Sequence, residues 1–193
     1  LAQLALKEGV GCFRGALNNK IRRLADCMTE FGATEALLVD GDDPTFDFNV
    51  GRRALQLLRS GAAFVVSSPE LTPGFFTYGI AAGAMRKLLE EAPDPRTDTD
   101  VITEFVARAG LEKTQVMALP DETLGHDLRL TVDYPEDVDF YRALFARVDC
   151  LAPSPECVHA ALEHGLGSIN RHRQAEFLKN QEAFNQRVRQ ENG

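Results

Sequence analysis

The chain has 193 residues, 44% of them hydrophobic and 26% charged, a balance that lets one α/β domain with an appendage bury a sizeable core. A formal net charge of −8 argues against a nucleic-acid-binding surface, and no apolar stretch is long enough to span a bilayer. Cys12, Cys27, Cys150 and Cys157 lack metal-like or redox-like spacing and read as reduced thiols, so a cytoplasmic location is expected.

Residues 1–8 carry Leu1, Leu4 and Ala5 at helical spacing, and Gly9 and Gly11 end that helix. An extended piece leads into Arg14-Gly15-Ala16-Leu17-Asn18-Asn19. Asn18 or Asn19 can cap a helix over 20–31 with Ile21, Leu24, Ala25 and Met28 on its apolar face and Gly32 at its end. Ala36-Leu37-Leu38-Val39 reads as a buried strand that stops abruptly in Asp40-Gly41-Asp42-Asp43-Pro44. A helix from Phe46-Asp47-Phe48-Asn49 to Gly61, a strand over 62–68, a strand over 75–80 and a helix with Ala84, Met85, Leu88 and Leu89 inward come next. Thr97 and Asp100 have capping-box spacing ahead of a helix over 101–109. Residues 114–119 read as a fourth strand and 128–132 as a fifth, which ends at Asp133. Pro135 suits the first position of the following helix, with Glu136 and Asp137 at its amino end and Val138, Tyr141, Leu144 and Phe145 on its apolar face. A helix over 154–165 and a long polar helix capped by Asn170 and running through 187 complete the chain. A helix so polar is surface-laid or a partner-contacting arm. Met28, Met85 and Met117 fall in apolar patterns and read as core filler.

Alternating strands and helices imply an α/β sheet with parallel pairs. In such sheets ligands bind beyond the carboxyl ends of the strands. Asp40, Asp42 and Asp43 would crowd there and repel one another unless a positive group sits among them. A hard cation such as Mg²⁺ suits them, because it takes oxygen ligands and brings phosphates with it. A lone Asp-Gly-Asp reads equally well as a solvated turn; the second acidic strand end, at Asp133, shifts the balance toward a site. Two carboxylates from separate strands holding Mg²⁺ are what a phosphoryl-type transfer needs. His126, in the loop ahead of Asp133, reads as a solvated histidine, and His159, His164 and His172 as structural or surface residues.

Leu37-Leu38-Val39-Asp40-Gly41-Asp42-Asp43-Pro44 together with Leu128-Arg129-Leu130-Thr131-Val132-Asp133-Tyr134-Pro135-Glu136-Asp137-Val138 resembles the cytidylyltransferase family that makes CMP-activated sugar acids. The likeness is to its bacterial branch of SpsF-type spore-coat polysaccharide proteins and CMP-Kdo and CMP-sialate synthetases. Phe13-Arg14-Gly15 with Arg23, and Ile169-Asn170 in the tail, extend the resemblance over most of the chain. It implies a three-layer Rossmann-like nucleotidyltransferase fold with a mostly parallel sheet over 1–150, and a helical C-terminal extension over 151–193. It implies the reaction of CTP with an acidic acceptor to give a CMP conjugate and pyrophosphate. Carried over residue by residue, Asp42 and Asp133 are the Mg²⁺ ligands. Asp40 and Asp43 orient the metal waters or the acceptor, and Arg14, Gly15 and Arg23 help hold the nucleotide. A homodimer is expected from the same resemblance, with the strand near Phe75 and the tail at the interface.

Two departures stand out. The family's opening strand and basic, glycine-rich triphosphate loop have no counterpart here, so either residues precede Leu1, which is the expectation adopted, or catalysis has been lost. In the acceptor half, Phe76-Thr77-Tyr78-Gly79 and Arg96-Thr97-Asp98-Thr99-Asp100 stand where the family often carries a Glu and an Arg-Glu-His. The acceptor is therefore expected to differ from the family's commonest one: another sugar acid, or a small phosphonate. A GT-A glycosyltransferase could use Asp40-Gly41-Asp42 on a metal but leaves the Pro-Glu-Asp motif unexplained. Neither a haloacid-dehalogenase-type phosphatase nor a response-regulator receiver finds its later lysine. A catalytically dead relative would bind nucleotide without releasing pyrophosphate.

Overall fold

The structure is a computed structural model and describes residues 1–192. The elements are α1 (Ala2–Lys7), α2 (Lys20–Glu30), β1 (Glu35–Leu38), α3 (Phe48–Arg59), β2 (Phe64–Ser67), β3 (Tyr78–Ala81), α4 (Ala82–Glu91), α5 (Ile102–Arg108), β4 (Lys113–Val116), α6 (Pro135–Phe145), α7 (Ser154–Glu163) and α8 (Gln174–Asn192). The strands form one sheet in the order β1-β3-β2-β4. β1 and β2 both pair antiparallel with β3, and β2 pairs parallel with β4. Three of the four strands run the same way, but two of the three strand pairs are antiparallel, which corrects the expected mostly parallel sheet. The sheet is mixed, because the reversed β3 lies between β1 and β2, and the only hydrogen-bonded parallel pair among the described residues is β2–β4.

Successive side chains of a strand point to opposite faces, and each face here has its own core. Phe64, Leu38 and Ile80 join Ile21, Met85, Leu88 and Phe105 of α2, α4 and α5. Val65 and Leu37 pack instead with Val50, Ala54 and Leu58 of α3, Phe140 and Leu144 of α6, and Val158 and Ala161 of α7. Helices therefore cover both faces. The expected boundary at residue 150 falls just before α7, whose Cys157 and Val158 belong to the same core as α3 and α6.

Local chemistry sets the helix ends. The Asn19 side chain accepts from the Arg22 N–H at the start of α2, and Asp47 accepts from the Asn49 and Val50 N–H groups at the start of α3. Gly32 takes φ +61° just past α2, a left-handed position that a residue with a Cβ rarely adopts.

Four further expectations are corrected. The Thr97–Asp100 capping box is absent: α5 begins at Ile102 without a side-chain cap. The buried Thr99 hydroxyl instead accepts from the Ile21 N–H and donates to Asn19, tying this loop to α2. Residues 128–132 form no strand. Their backbone partners lie in loops and in the tail: the Val132 N–H donates to the Asp42 carbonyl and the Asn170 amide to the Arg129 carbonyl. Asn170 consequently does not cap the last helix; it precedes a 3-10 turn (Arg171–Arg173) that leads into α8. Met117 is 62% exposed, because β4 stops at Val116 and the inward–outward alternation stops with it.

Candidate active site

β1 ends at Leu38, and the chain turns through Asp40 to Asp43, with the Asp43 N–H donating to the Asp40 carbonyl at 3.2 Å. This turn brings three carboxylates to the rim of the sheet. The Val132 N–H reaches back to the Asp42 carbonyl at 2.8 Å, which places Asp133 beside them. Asp40, Asp42, Asp43 and Asp133 all line one open cavity of about 780 Å³. That volume suits a nucleotide-sized ligand. Gly74, also on the lining, takes φ +88°, and a Cβ there would lie 2.8 Å from the Leu130 carbonyl oxygen, so a glycine lets the loops that carry residues 74 and 130 pack together.

The electrostatics of the cluster are unbalanced. Burial, and then the nearby carboxylates of Asp42, Asp40 and Asp133, push the Asp43 carboxyl up to about 7. Tyr78 is pushed upward by burial and by Asp40. Asp40 is partly neutralised by Lys20, whose Nζ lies 3.1 Å from Oδ1. Neither Asp42 nor Asp43 makes a side-chain hydrogen bond or ion pair among the described residues.

Asp133 is placed by a network beneath it. Arg129, buried although charged, pairs with both Asp133 and Asp137. Burial works against the charged form of Asp137. It is outweighed by hydrogen bonds from Arg129, from the Asp133 and Tyr134 N–H groups and from the Asn170 amide, which together hold this carboxyl below its usual range. Asp137 thus clamps the turn that carries Asp133, and the tail's Ile169-Asn170 has a structural purpose: Asn170 bridges Asp137 and the Arg129 carbonyl.

The tail also forms a wall of the cavity. The Phe177 ring stacks on the Arg129 guanidinium at 4.6 Å, Tyr134 stacks at 5.1 Å, and Gln174 Oε1 accepts from Arg129 at 3.2 Å. Arg173 lies over Tyr134 as well and pairs with Glu136 at 2.7 Å. This anchoring was not anticipated from the sequence. Nor was Lys20, although a lysine in the first turn of a helix works against the helix dipole and hints at a partner elsewhere.

The other expected nucleotide contacts are arranged differently. Arg23 donates to the Ala16 and Leu17 carbonyl oxygens at 2.6 and 2.8 Å, so it clamps the loop that carries Arg14 and Gly15. A Cβ on Gly15 would press on the Arg23 Cα at 3.2 Å. Arg14 is exposed, and none of the three lines the cavity. His126 does line it and approaches the Glu70 carbonyl oxygen at 2.7 Å.

Among the described residues no group of three or more His, Cys, Asp or Glu side chains is close enough to hold a metal ion unaided. Mg²⁺ does not need one: it commonly binds through one or two carboxylates and completes its shell with water and substrate phosphates. The unpartnered carboxylates of Asp42 and Asp43, and the upward push on Asp43, fit a hard cation of that kind.

No protein-family model matches the chain, and no curated protein matches it in sequence. Among solved structures, a cytidylyltransferase from Leptospira borgpetersenii serovar Hardjo-bovis (strain JB197) superposes with a TM-score of 0.73 at 18% identity, over 87% of this chain and 71% of that one. The chain therefore has the fold of that protein. Among the described residues no helix is long and apolar enough to cross a membrane.

Proposed function

We propose that the chain is a Mg²⁺-dependent nucleotidyltransferase that transfers CMP from CTP to an acidic acceptor, a sugar acid or a small phosphonate, with release of pyrophosphate. One observation carries the reading: the 2.8 Å hydrogen bond from Val132 to the Asp42 carbonyl, which joins the two acidic segments at a single cavity. The fold shared with the Leptospira cytidylyltransferase agrees with it.

On this reading Asp42 and Asp133 hold Mg²⁺, which when bound offsets triphosphate charge and makes the α-phosphorus more electrophilic. The chain's own residues then position the reactants. Asp137 and Arg129 fix the turn that carries Asp133. Lys20 restrains Asp40 at the rim. Asp43, with Asp40, orients the metal waters or the acceptor. The loop of Arg14 and Gly15, clamped by Arg23, is assigned to the nucleotide. The acceptor oxygen attacks the α-phosphorus, the bond to the bridging oxygen breaks, and pyrophosphate leaves with the electron pair. The acceptor's proton passes to a carboxylate or to water. We assign the work to the cytoplasm and to a homodimer on the family resemblance.

The glycosyltransferase alternative asks Asp40 and Asp42 to share one ion and leaves the Pro-Glu-Asp segment, whose Asp137 fixes the Asp133 turn, without a role in the site. The test is pyrophosphate release from CTP, beside ATP, GTP and UTP, across a panel of sugar acids and phosphonates. CTP-dependent release supports the reading. Nucleoside diphosphate released from a nucleotide sugar transfers the assignment to a glycosyltransferase, and nucleotide binding without any release marks a binding-only relative.

A further inference from the structure

Of the cations that line the cavity, Arg129 is enclosed, with its side chain 1% exposed. A buried guanidinium needs acceptors for its donors and a cover against water. The turn that carries Asp133 supplies part of both. Nε donates to Asp137 Oδ1 at 2.9 Å, Nη2 donates to Asp137 Oδ2 at 3.2 Å and to Asp133, and the Tyr134 ring lies 5.1 Å away. The rest comes from the C-terminal arm, α8. Gln174 Oε1 accepts from Nη1 at 3.2 Å, the one bond of Nη1 among the described residues, and the Phe177 ring lies nearest of all, at 4.6 Å. Elsewhere the arm is lightly attached. Asn180 donates to Tyr134 Oη at 3.3 Å, and Leu178 stays 57% exposed. The arm is thus fastened chiefly at the arginine it covers.

Arg129 in turn decides what Asp133 presents. The Asp133 carboxylate accepts from Arg129 and from the Thr131 hydroxyl, both on Oδ2. Its Oδ1 has no partner among the described residues and is the oxygen left for a ligand of the cavity. A carboxylate pinned through one oxygen loses less rotamer freedom when the other binds a cation, and outer partners of this kind change metal affinity by about 10–100-fold. Lifting the arm would admit water to the guanidinium. Its hold on Asp133 would weaken, because attraction between charges falls as the surrounding dielectric rises. We infer that the arm is a strap that positions Asp133 through Arg129, with Phe177 and Gln174 as positioning residues, so that docking of the arm and binding of a divalent cation at the acidic turn strengthen each other. The cation rests on the nucleotidyltransferase reading; the coupling of arm to turn rests on the contacts at Arg129.

The experiment compares the full chain as wild type, Phe177→Ala, Gln174→Ala and Phe177→Tyr. Phe184→Ala is the control on the same helix, because its ring meets Arg187 and not Arg129. Deuterium exchange reads the Asp133 and Tyr134 N–H groups, each bonded to Asp137 Oδ2 at 2.9 Å, and exchange in β2 and β3 verifies that every variant is folded. Water-proton relaxation reads Mn²⁺ binding in the presence of CTP, where it separates ion on the protein from ion on free nucleotide. Phe177→Ala should exchange the two turn groups about tenfold faster and bind Mn²⁺ about tenfold more weakly. Gln174→Ala should shift both readings the same way by about threefold. Phe177→Tyr keeps a ring on Arg129, and it and Phe184→Ala should stay within about twofold of wild type. In the wild type, Mn²⁺ with CTP should slow exchange across residues 174–180. Unchanged Mn²⁺ affinity in Phe177→Ala overturns the strap, even with faster exchange, since the contact would then serve the fold alone. Equal losses in Phe184→Ala overturn it as well, because they would trace to the helix and not to Arg129. A wild type that binds no Mn²⁺ removes the metal reading and the strap together; wild-type binding that Phe177→Ala leaves untouched removes the strap alone.

Discussion

The Val132 N–H and the Asp42 carbonyl oxygen, 2.8 Å apart, tie together two acidic segments that the sequence keeps far apart. The bond uses backbone atoms only, so it engages none of the carboxylates; Asp40 and Asp133 are held separately by Lys20 and Arg129, while Asp42 and Asp43 are left unpartnered among the described residues. Substituting Asp42 can therefore test chemistry with little cost in fold, whereas substituting Asp133 also removes one partner of the buried Arg129. Asp42→Ala and Asp133→Ala should each lower CTP-dependent pyrophosphate release by at least about 10²-fold, the scale on which removing one preorganised charge at a transition state is felt. Circular dichroism should stay close to wild type for Asp42→Ala, and its melting temperature should not fall below that of wild type near pH 7. Normal turnover in either variant sinks the metal assignment.

Most of the helices were legible because amphipathic spacing and caps are local signals. Asn19, Asp47 and Pro135 mark helix starts for reasons contained within four residues. The acidic turn after β1 was legible for the same reason. What was hidden depends on partners distant in sequence. The alternation in Leu128-Arg129-Leu130-Thr131-Val132 mimics a strand, yet Arg129 is drawn inside by Asp137, and the backbone bonds go to Asp42 and Asn170. The reversal of β3 left no mark either, because its Tyr78-Gly79-Ile80 reads the same in either direction of pairing. The stacking of Phe177 on Arg129 joins the tail to the site through a contact that no spacing rule reports.

The buried network beneath Asp133 gives a stability prediction. Asp137→Ala strips a fully buried arginine of one partner and frees two N–H groups of the turn. Breaking a buried pair from one side costs about 3–5 kcal/mol. Asn170→Ala removes two donors and should cost about 1–3 kcal/mol. The double variant should cost less than both losses together, since the two side chains share one network. Urea denaturation of the three variants measures all three values; strictly additive losses would show that Asn170 and Asp137 act independently.

The same carboxyl fixes the acid limb of stability. Asp137 is held below its ordinary value of 3.8 in the folded protein. The folded state therefore binds this proton less readily than the unfolded chain does. The contribution is fully present above pH 3.8 and is lost as the pH falls from there through the folded-state value. Denaturation midpoints followed downward from pH 5 should fall less steeply in Asp137→Asn than in wild type. Parallel curves would place the acid lability elsewhere.

Asp43 works in the opposite sense. Its carboxyl is raised from 3.8 to about 7, first by burial and then by Asp42, Asp40 and Asp133. The folded protein binds this proton more tightly than the unfolded chain, so stability falls as the pH rises from 3.8 to about 7 and levels off above. In metal-free buffer the melting temperature should show that decline. Asp42→Asn removes one of the repelling charges while burial, the larger cause, persists. The decline should therefore shrink without vanishing, and the variant should melt above wild type near pH 7 although it is catalytically impaired. Gain of stability with loss of function is the signature of charges assembled for a ligand and not for the fold. A melting temperature for Asp42→Asn at or below wild type across pH 6–8 would mean that these carboxylates do not strain the metal-free protein.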